Sequence, residues 1–322
     1  MAEQRPGAAL IPAALVVPIL DEASTLPRLL AGITAQTRRP AEVLFVDGGS
    51  QDQSAALIEQ WWRDHGWGGG RCEVIANPGG RPGGNRNVGV QNAHAPWIAF
   101  LDGGIEPAAD WLQTLFDCAT QANARAVSGV CRFDSESAVG KAVCALSAGV
   151  QREHRVLPAS IFRRDLFDEV GPFRTALRSA EDLEWLQRLT VAGIQRLDCP
   201  SARVDYRHFP ATFSAAIRKW YVYETNTTRA GVRRTQQNGY LAAAALWLAA
   251  AIYSPLLGTF SFAAYAVLRG ILDPMRRSRR IAWWHGMPPA FAYAVVLGPA
   301  LDLAKLAGIV ASLPARFSSH ME

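Results

Sequence analysis

Short apolar runs alternate with helical periodicities through the first two thirds of the chain. Ala14-Leu15-Val16-Val17-Pro18, Val43-Leu44-Phe45-Val46, Cys72 to Ala76 and Ile98 to Leu101 are too short for helices and read as strands buried on both faces. Between them, Ser24 to Gln36 puts Leu26, Leu29, Leu30 and Ile33 on one helical face. A second helix, capped by Ser50 or Asp52, runs to about Arg63, and a third ends near His94. Beyond the fourth strand the pattern predicts a helix over Pro107 to Ala122, a strand over Ala126 to Phe133 and a helix at Asp165 to Val170. A further helix starts near Ser179, with Leu183, Leu186 and Leu189 on one face and Ser179 with Asp182 as a capping box. One or two strands follow between Arg196 and Tyr206, while Lys141 to Arg155 keeps no clear period. The alternation predicts an α/β fold: a doubly wound, mostly parallel sheet with helices on both faces.

Three of the first four strands end in acid: Asp21-Glu22, Asp47 and Asp102. In an open α/β sheet the ligand lies beyond the carboxyl ends of the strands, so these groups are candidates for one shared site. Glycine pairs follow two of them, Gly48-Gly49 and Gly103-Gly104, and let a ligand approach the backbone. The loop Asn77 to Asn87 is rich in glycine, but it does not spell the GxGxxG dinucleotide fingerprint.

From Tyr240 the composition changes. No charge occurs from Tyr240 to Leu268, and Ser254-Pro255 with Gly258 interrupts the run midway. As a hairpin, each arm would reach only about 21 Å, short of a ~30 Å hydrocarbon core. A single crossing would leave Arg276, Arg277, Arg279 and Arg280 outside, against the positive-inside tendency. The expectation is a re-entrant or half-sunk helical pair with both ends on the cytoplasmic side. Ile281 to Leu301 is a third apolar stretch, beyond which Asp302 and Lys305 are spaced to pair. Thr212 to Gly231 reads as an interfacial amphipathic helix. The chain thus divides into an α/β domain over 13–211, a connecting segment over 212–239 and an apolar helical, membrane-associated module over 240–314.

Charge sharpens this reading. The net +5 is concentrated in Arg229 to Arg234 and Arg269 to Arg280, beside apolar stretches, which favours a membrane surface and argues against nucleic acid. Pro12 and Pro18 interrupt the apolar start and argue against a secretory leader. The five cysteines show no CxxC or Cys/His spacing and read as reduced core residues of a cytosolic domain.

Five elements in order carry a resemblance. Val17-Pro18-Ile19-Leu20-Asp21-Glu22 resembles the Pro-x-x-Asn-Glu opening of the family 2 glycosyltransferases, and Val46 to Asp52 resembles their Val-Asp-Asp/Gly-Gly-Ser-x-Asp element. Gly84-Asn85-Arg86-Asn87-Val88-Gly89 is similar to their Ala-Arg-Asn-x-Gly turn. Phe100-Leu101-Asp102 stands where they carry Asp-x-Asp, and Glu181-Asp182 resembles their Glu-Asp pair. The match covers about residues 13 to 230. It implies a GT-A fold and inverting transfer of a sugar from a nucleoside diphosphate sugar to a lipid-linked or saccharide acceptor. The setting it implies is polysaccharide or glycolipid synthesis at the cytoplasmic face of the inner membrane, as in bacterial exopolysaccharide enzymes. By the same resemblance Pro18, Glu22, Asp47, Arg86 and Asp102 bind the nucleotide sugar, Asp182 is the general base, and Asp102 with His208 holds Mg²⁺ or Mn²⁺.

Each assignment has a plainer counterpart. Asp47 also suits a helix-capping turn, Arg86 a surface position, Asp182 a first-turn carboxylate and His208 a half-buried structural role. Gly104 replaces the second carboxylate of Asp-x-Asp, and Glu106 is near enough in sequence to substitute. A degenerate membrane scaffold of the same fold and a nucleotidyltransferase are the rival functions. The latter needs a basic glycine-rich loop after the first strand, and Pro18 to Ala23 is not one.

Overall fold

The computed structural model describes residues 9–279 and 281–318, the last five by backbone alone. Arg280 of the arginine cluster lies outside the described residues. The chain divides into two compact units. The first comprises the residues up to Arg132, Glu153–Ala176 and Glu181–Tyr206. The second comprises Phe133–Arg152, Leu177–Ala180 and the residues from Arg207 onward.

An eight-stranded sheet forms the framework of the α/β part. Its strands are β1 (Ile11–Ile19), β2 (Pro40–Asp47), β3 (Arg71–Ala76), β4 (Trp97–Phe100), β5 (Ile105–Pro107), β6 (Ala126–Phe133), β7 (Glu153–Arg163) and β8 (Leu197–Tyr206), in the order β3-β2-β1-β4-β7-β6-β8-β5. The helices α1 (Leu26–Thr34), α2 (Ser54–His65) and α3 (Pro82–Asn92) connect β1 to β4, and all pairings among β1, β2, β3 and β4 are parallel. A helical crossover returns each strand to the same edge, so this half is parallel as the alternation predicts. In the other half β4–β7, β6–β7 and β5–β8 pair antiparallel, so the sheet as a whole is mixed. The three-residue β5 is not expected from the sequence; it ends at Pro107, where the predicted Pro107 to Ala122 helix was to begin, and that helix is observed as α4 (Trp111–Gln121).

The core of this unit joins Val16, Leu44, Ile98 and Phe100 to Phe162, Phe167, Phe173 and Trp185, where Phe167 stacks on Trp185 at 4.8 Å between centroids. Those last aromatics come from β7, α6 (Leu166–Glu169), the following loop and α7 (Glu181–Val191). Gly89 of α3 lies against β1, and a Cβ there would stand 2.4 Å from Val16 Cγ1. Gly89→Val is therefore expected to destabilise the protein by about 3 kcal/mol, the upper end for overpacking, seen as a lower urea midpoint.

Two local expectations are corrected. Ser179 does not cap α7: its hydroxyl is buried without a hydrogen bond, and Ala180 intervenes with a left-handed φ of 66°. Cys118 and Cys199 are not both reduced thiols; they form a disulfide between α4 and β8. Sequence spacing carries no sign of it, because the two are brought together only by packing of α4 on β8.

The second unit is helical, and its helix α5 (Ala138–Ser147) comes from the stretch that showed no clear period. It is joined by α8 (Phe213–Arg229), α9 (Arg234–Tyr253), α10 (Pro255–Val267), a π-helical turn Leu268–Leu272, α11 (Asp273–Arg277) and α12 (Pro289–Ser318). Ala142, Val143 and Leu146 of α5 pack with Ala216, Trp283, Ala294, Leu297 and Leu301 in its core. The stretches Pro255–Arg277 and Pro289–Leu313 are long and apolar enough to cross a membrane. The expected Asp302–Lys305 pair forms at 2.7 Å, and Asp302 also accepts from Tyr265 at 2.7 Å and Arg269 Nε at 2.6 Å.

Candidate active site

The parallel register sets Asp47 opposite Ile19, and Val16 opposite Phe100. Asp47 and Asp102 therefore leave the sheet at the same edge, on either side of the β1 end that leads to Asp21 and Glu22. Pro18 is near the end of β1, opposite Val46.

The turns after these strands are tied together. Asp47 Oδ1 accepts from Gly49 N at 3.0 Å, Ser50 N at 2.8 Å and Ser50 Oγ at 2.7 Å. Ser50 Oγ in turn accepts from Asp21 N, and Ser54 Oγ accepts from Glu22 N, each at 2.9 Å. Asp52, rather than Ser50, organises the start of α2, accepting from Ser54 N at 3.0 Å. Capping and ligand binding are thus not exclusive for Asp47: one oxygen shapes the turn.

The tripeptide Asn85-Arg86-Asn87 on α3 joins the separate parts of the edge. Asn85 Nδ2 donates to Val46 O at the end of β2 (3.2 Å). Asn87 exchanges two 2.8 Å bonds with the Phe173 backbone. Between them Arg86 is only 3% exposed, which rules out a surface arginine. Its Nη2 donates to Asp102 Oδ1 at 2.7 Å, its Nη1 bonds Glu181 Oε1, and its guanidinium faces the Phe173 ring at 5.9 Å. Burial opposes its charge, but Asp102, Glu181 and Asp182 more than compensate and hold its pKa above the ordinary value. Gly83 lets α7 approach α3, since a Cβ there would meet Glu181 Cγ at 3.1 Å.

The chain therefore collects Asp102, Glu181 and Asp182 around one buried guanidinium. Burial, then the charge of Glu181, pushes the Asp182 carboxyl up to about 6, and Arg86 limits the rise. Glu22 lies against Gly103, where a Cβ would stand 2.7 Å from its Cδ, and Thr25 Oγ1 bonds its carboxylate. Burial raises the Glu22 pKa; the Thr25 bond opposes this, and the charge of Asp102 adds to it.

The metal expectation meets a sparse donor set. Gly104 supplies no ligand, and Glu106 is bonded to Arg28 at 3.2 Å. His208 lies two residues beyond β8, in the second unit, whereas Asp102 belongs to the first. Among the described residues no cluster of three or more His, Cys, Asp or Glu side chains is arranged to hold a metal ion. Asp102, however, has a 40% exposed side chain with Arg86 on one oxygen, and a single such carboxylate suits an ion completed by phosphate oxygens.

Asn85, Asn87 and Glu181 stand in the motifs read from the sequence but carry no site role there; their partners are seen only in the fold.

This edge thus gathers acids at the ends of parallel strands and a further carboxylate pair on a packed helix. The family model for glycosyl transferase family 2 matches residues 14–180, and the chain belongs to that family. Curated relatives include the glycosyltransferase AglE of Haloferax volcanii, 25% identical over 190 residues, covering 56% of this chain and 61% of that protein. The pre-mycofactocin glycosyltransferase of Mycobacterium tuberculosis is 29% identical over 212 residues, covering 60% of this chain and 42% of that one. The chain thus matches less than two thirds of the length of either relative. Among solved structures, the mannosyltransferase PcManGT of Pyrobaculum calidifontis, in complex with GDP-Man and Mn²⁺, shares the fold. Its TM-score is 0.61 at 15% identity, covering 97% of this chain and 91% of that one.

Proposed function

We propose that this protein transfers a sugar from a nucleoside diphosphate sugar to a hydroxyl of a lipid-linked or saccharide acceptor, with inversion, at the cytoplasmic face of a membrane. The observation that carries this reading is the Arg86 bridge, which pairs the strand-end carboxylate Asp102 with Glu181, the helix neighbour of Asp182, on one guanidinium.

In this reading the donor lies along the carboxyl edge of β1, β2 and β4. Asp47 uses Oδ1 for its own turn, so a base N–H would meet Oδ2, and Glu22 lines the nucleoside side. Arg86 acts through its two carboxylates rather than by gripping the diphosphate. Asp102 would hold Mg²⁺ or Mn²⁺ together with the diphosphate, and that ion would neutralise charge gathering on the leaving group. Asp182 accepts the acceptor's hydroxyl proton as the bond from that oxygen to the anomeric carbon forms. The bond from that carbon to the diphosphate oxygen breaks, and its electron pair leaves with the diphosphate. A carboxylate is a weak base for an alcohol, so the proton moves late, in concert with attack. A pKa raised to about 6 improves the match while leaving the group ionised at neutral pH.

The pH dependence follows. Asp182 must be unprotonated to act, so kcat should fall as pH drops through about 6 and hold steady above it. Asp182→Glu should move that limb, and a limb that stays put in active Asp182→Glu assigns it to another group.

The deciding experiment is a radiolabelled transfer assay on extracted lipid acceptors with UDP-, GDP- and dTDP-sugars. Product with one donor class supports the reading. Metal-dependent nucleotide binding without product from any lipid or saccharide acceptor rejects the proposed transfer, and absence of nucleotide binding supports the scaffold.

A further inference from the structure

We propose that α9 and α10 form a re-entrant hairpin that enters a phospholipid bilayer from one side, turns inside the hydrocarbon at Ser254-Pro255, and returns to the side it came from. This rests on the membrane reading above and adds the path of the chain.

The two arms are packed as a closed unit. Gly258 sits against Ala251, where a Cβ would stand 2.6 Å from the Ala251 Cβ, and Trp247 Nε1 donates to Gly258 O at 3.2 Å across the turn. Three internal hydrogen bonds close the turn: Ser254 N donates to Ala250 O and Gly258 N to Ser254 O, each at 2.9 Å, and Ser254 Oγ accepts from Leu257 N at 3.3 Å. A bend whose hydrogen bonds are internal is tolerated where no water is available.

The distribution of polarity fixes the direction. Large apolar side chains stand exposed at the turn: Ile252 is 76% exposed and Leu256 72%, with Leu257 and Phe260 beside them. A hairpin that crossed the bilayer would have to place this apolar turn in water on the far side. Charges gather instead at the two feet. Arg233 and Arg234 begin α9, while Arg269, Arg276 and Arg277 follow the second arm. Arg276 is exposed, as anionic headgroups require, whereas Arg269 is buried against Asp302 and Asp273 at 2.6 and 2.9 Å. Between the feet no charge occurs, and the length of each arm, about 21 Å, ends inside a ~30 Å core. The helical stretch Pro255–Arg277 is longer, but its final third carries Arg269, Asp273, Arg276 and Arg277, so its apolar reach stops at Leu268.

The test uses the full chain, synthesised in the presence of preformed vesicles of phosphatidylethanolamine and phosphatidylglycerol. Ser254→Cys and, separately, Leu256→Cys, which leaves the cap intact, are treated with a membrane-impermeant maleimide added outside or trapped inside. Gln236→Cys, at the exposed foot, is the control, and labelling is read at each position by peptide mass spectrometry. The expected result is flotation with the vesicles, labelling at 236 from outside, and loss of labelling at 254 and 256 from either side. Labelling at 254 or 256 from inside means the hairpin crosses; labelling there from outside on floated vesicles means it stays in water. Either result overturns the hairpin and leaves membrane association standing. Failure to float removes the membrane reading itself.

Discussion

Asp182→Asn is expected to lower kcat by about 10²–10⁴-fold, the usual contribution of a positioned general base, while the Kd for the nucleotide sugar stays within about twofold because the variant keeps the donor contacts. Asparagine matches aspartate in shape, and Arg86 still has Asp102 and Glu181 as partners, so the edge keeps its geometry. What is lost is the lone pair that takes the proton. Single-turnover transfer gives the chemical step, and titration calorimetry gives donor affinity. Weakened donor binding with an intact chemical step would assign Asp182 to the fold or the nucleotide site instead.

The second large effect is on stability. Arg86→Met should cost about 3–5 kcal/mol, the range for removing one partner of a buried ion pair. It leaves Glu181 buried beside Asp182, two like charges without the cation between them. Arg86→Lys should recover only part, because one ammonium does not reproduce the planar fork that reaches Asp102 and Glu181 together. Adding Glu181→Gln to Arg86→Met should restore a share of the loss by removing the stranded charge. Urea unfolding of the wild type, these three variants and Glu181→Gln alone reads this as shifts in midpoint. Additive losses in the double variant would show that the two side chains do not act as a pair.

Both predictions bear on how Arg86 is understood. Family resemblance makes it a residue that holds the base or diphosphate. Its neighbours in the structure are two carboxylates and an aromatic face, so under the proposed function its effect on the donor would pass through Asp102. Under the same proposal Glu181 would be a positioning residue, whose test is the midpoint pattern above together with the pH limb of the variants.

The order of apolar runs and acidic strand ends was enough to expect the parallel half of the sheet, because a buried strand and a crossover helix each leave a local periodic trace. The five motifs placed Asp47, Asp102 and Asp182 for the same reason: glycine turns and first-turn acids are local chemistry. The charge-free run from Tyr240 with its break at Ser254-Pro255 likewise announced a helical pair. Only the tertiary structure decided the partners. The antiparallel placement of β7 beside β4, the Cys118–Cys199 bond, and the fork of Arg86 onto Asp102 and Glu181 join residues far apart in the chain. Such contacts depend on which helix face and which strand edge meet in space, and a one-dimensional pattern holds that information only through the whole fold.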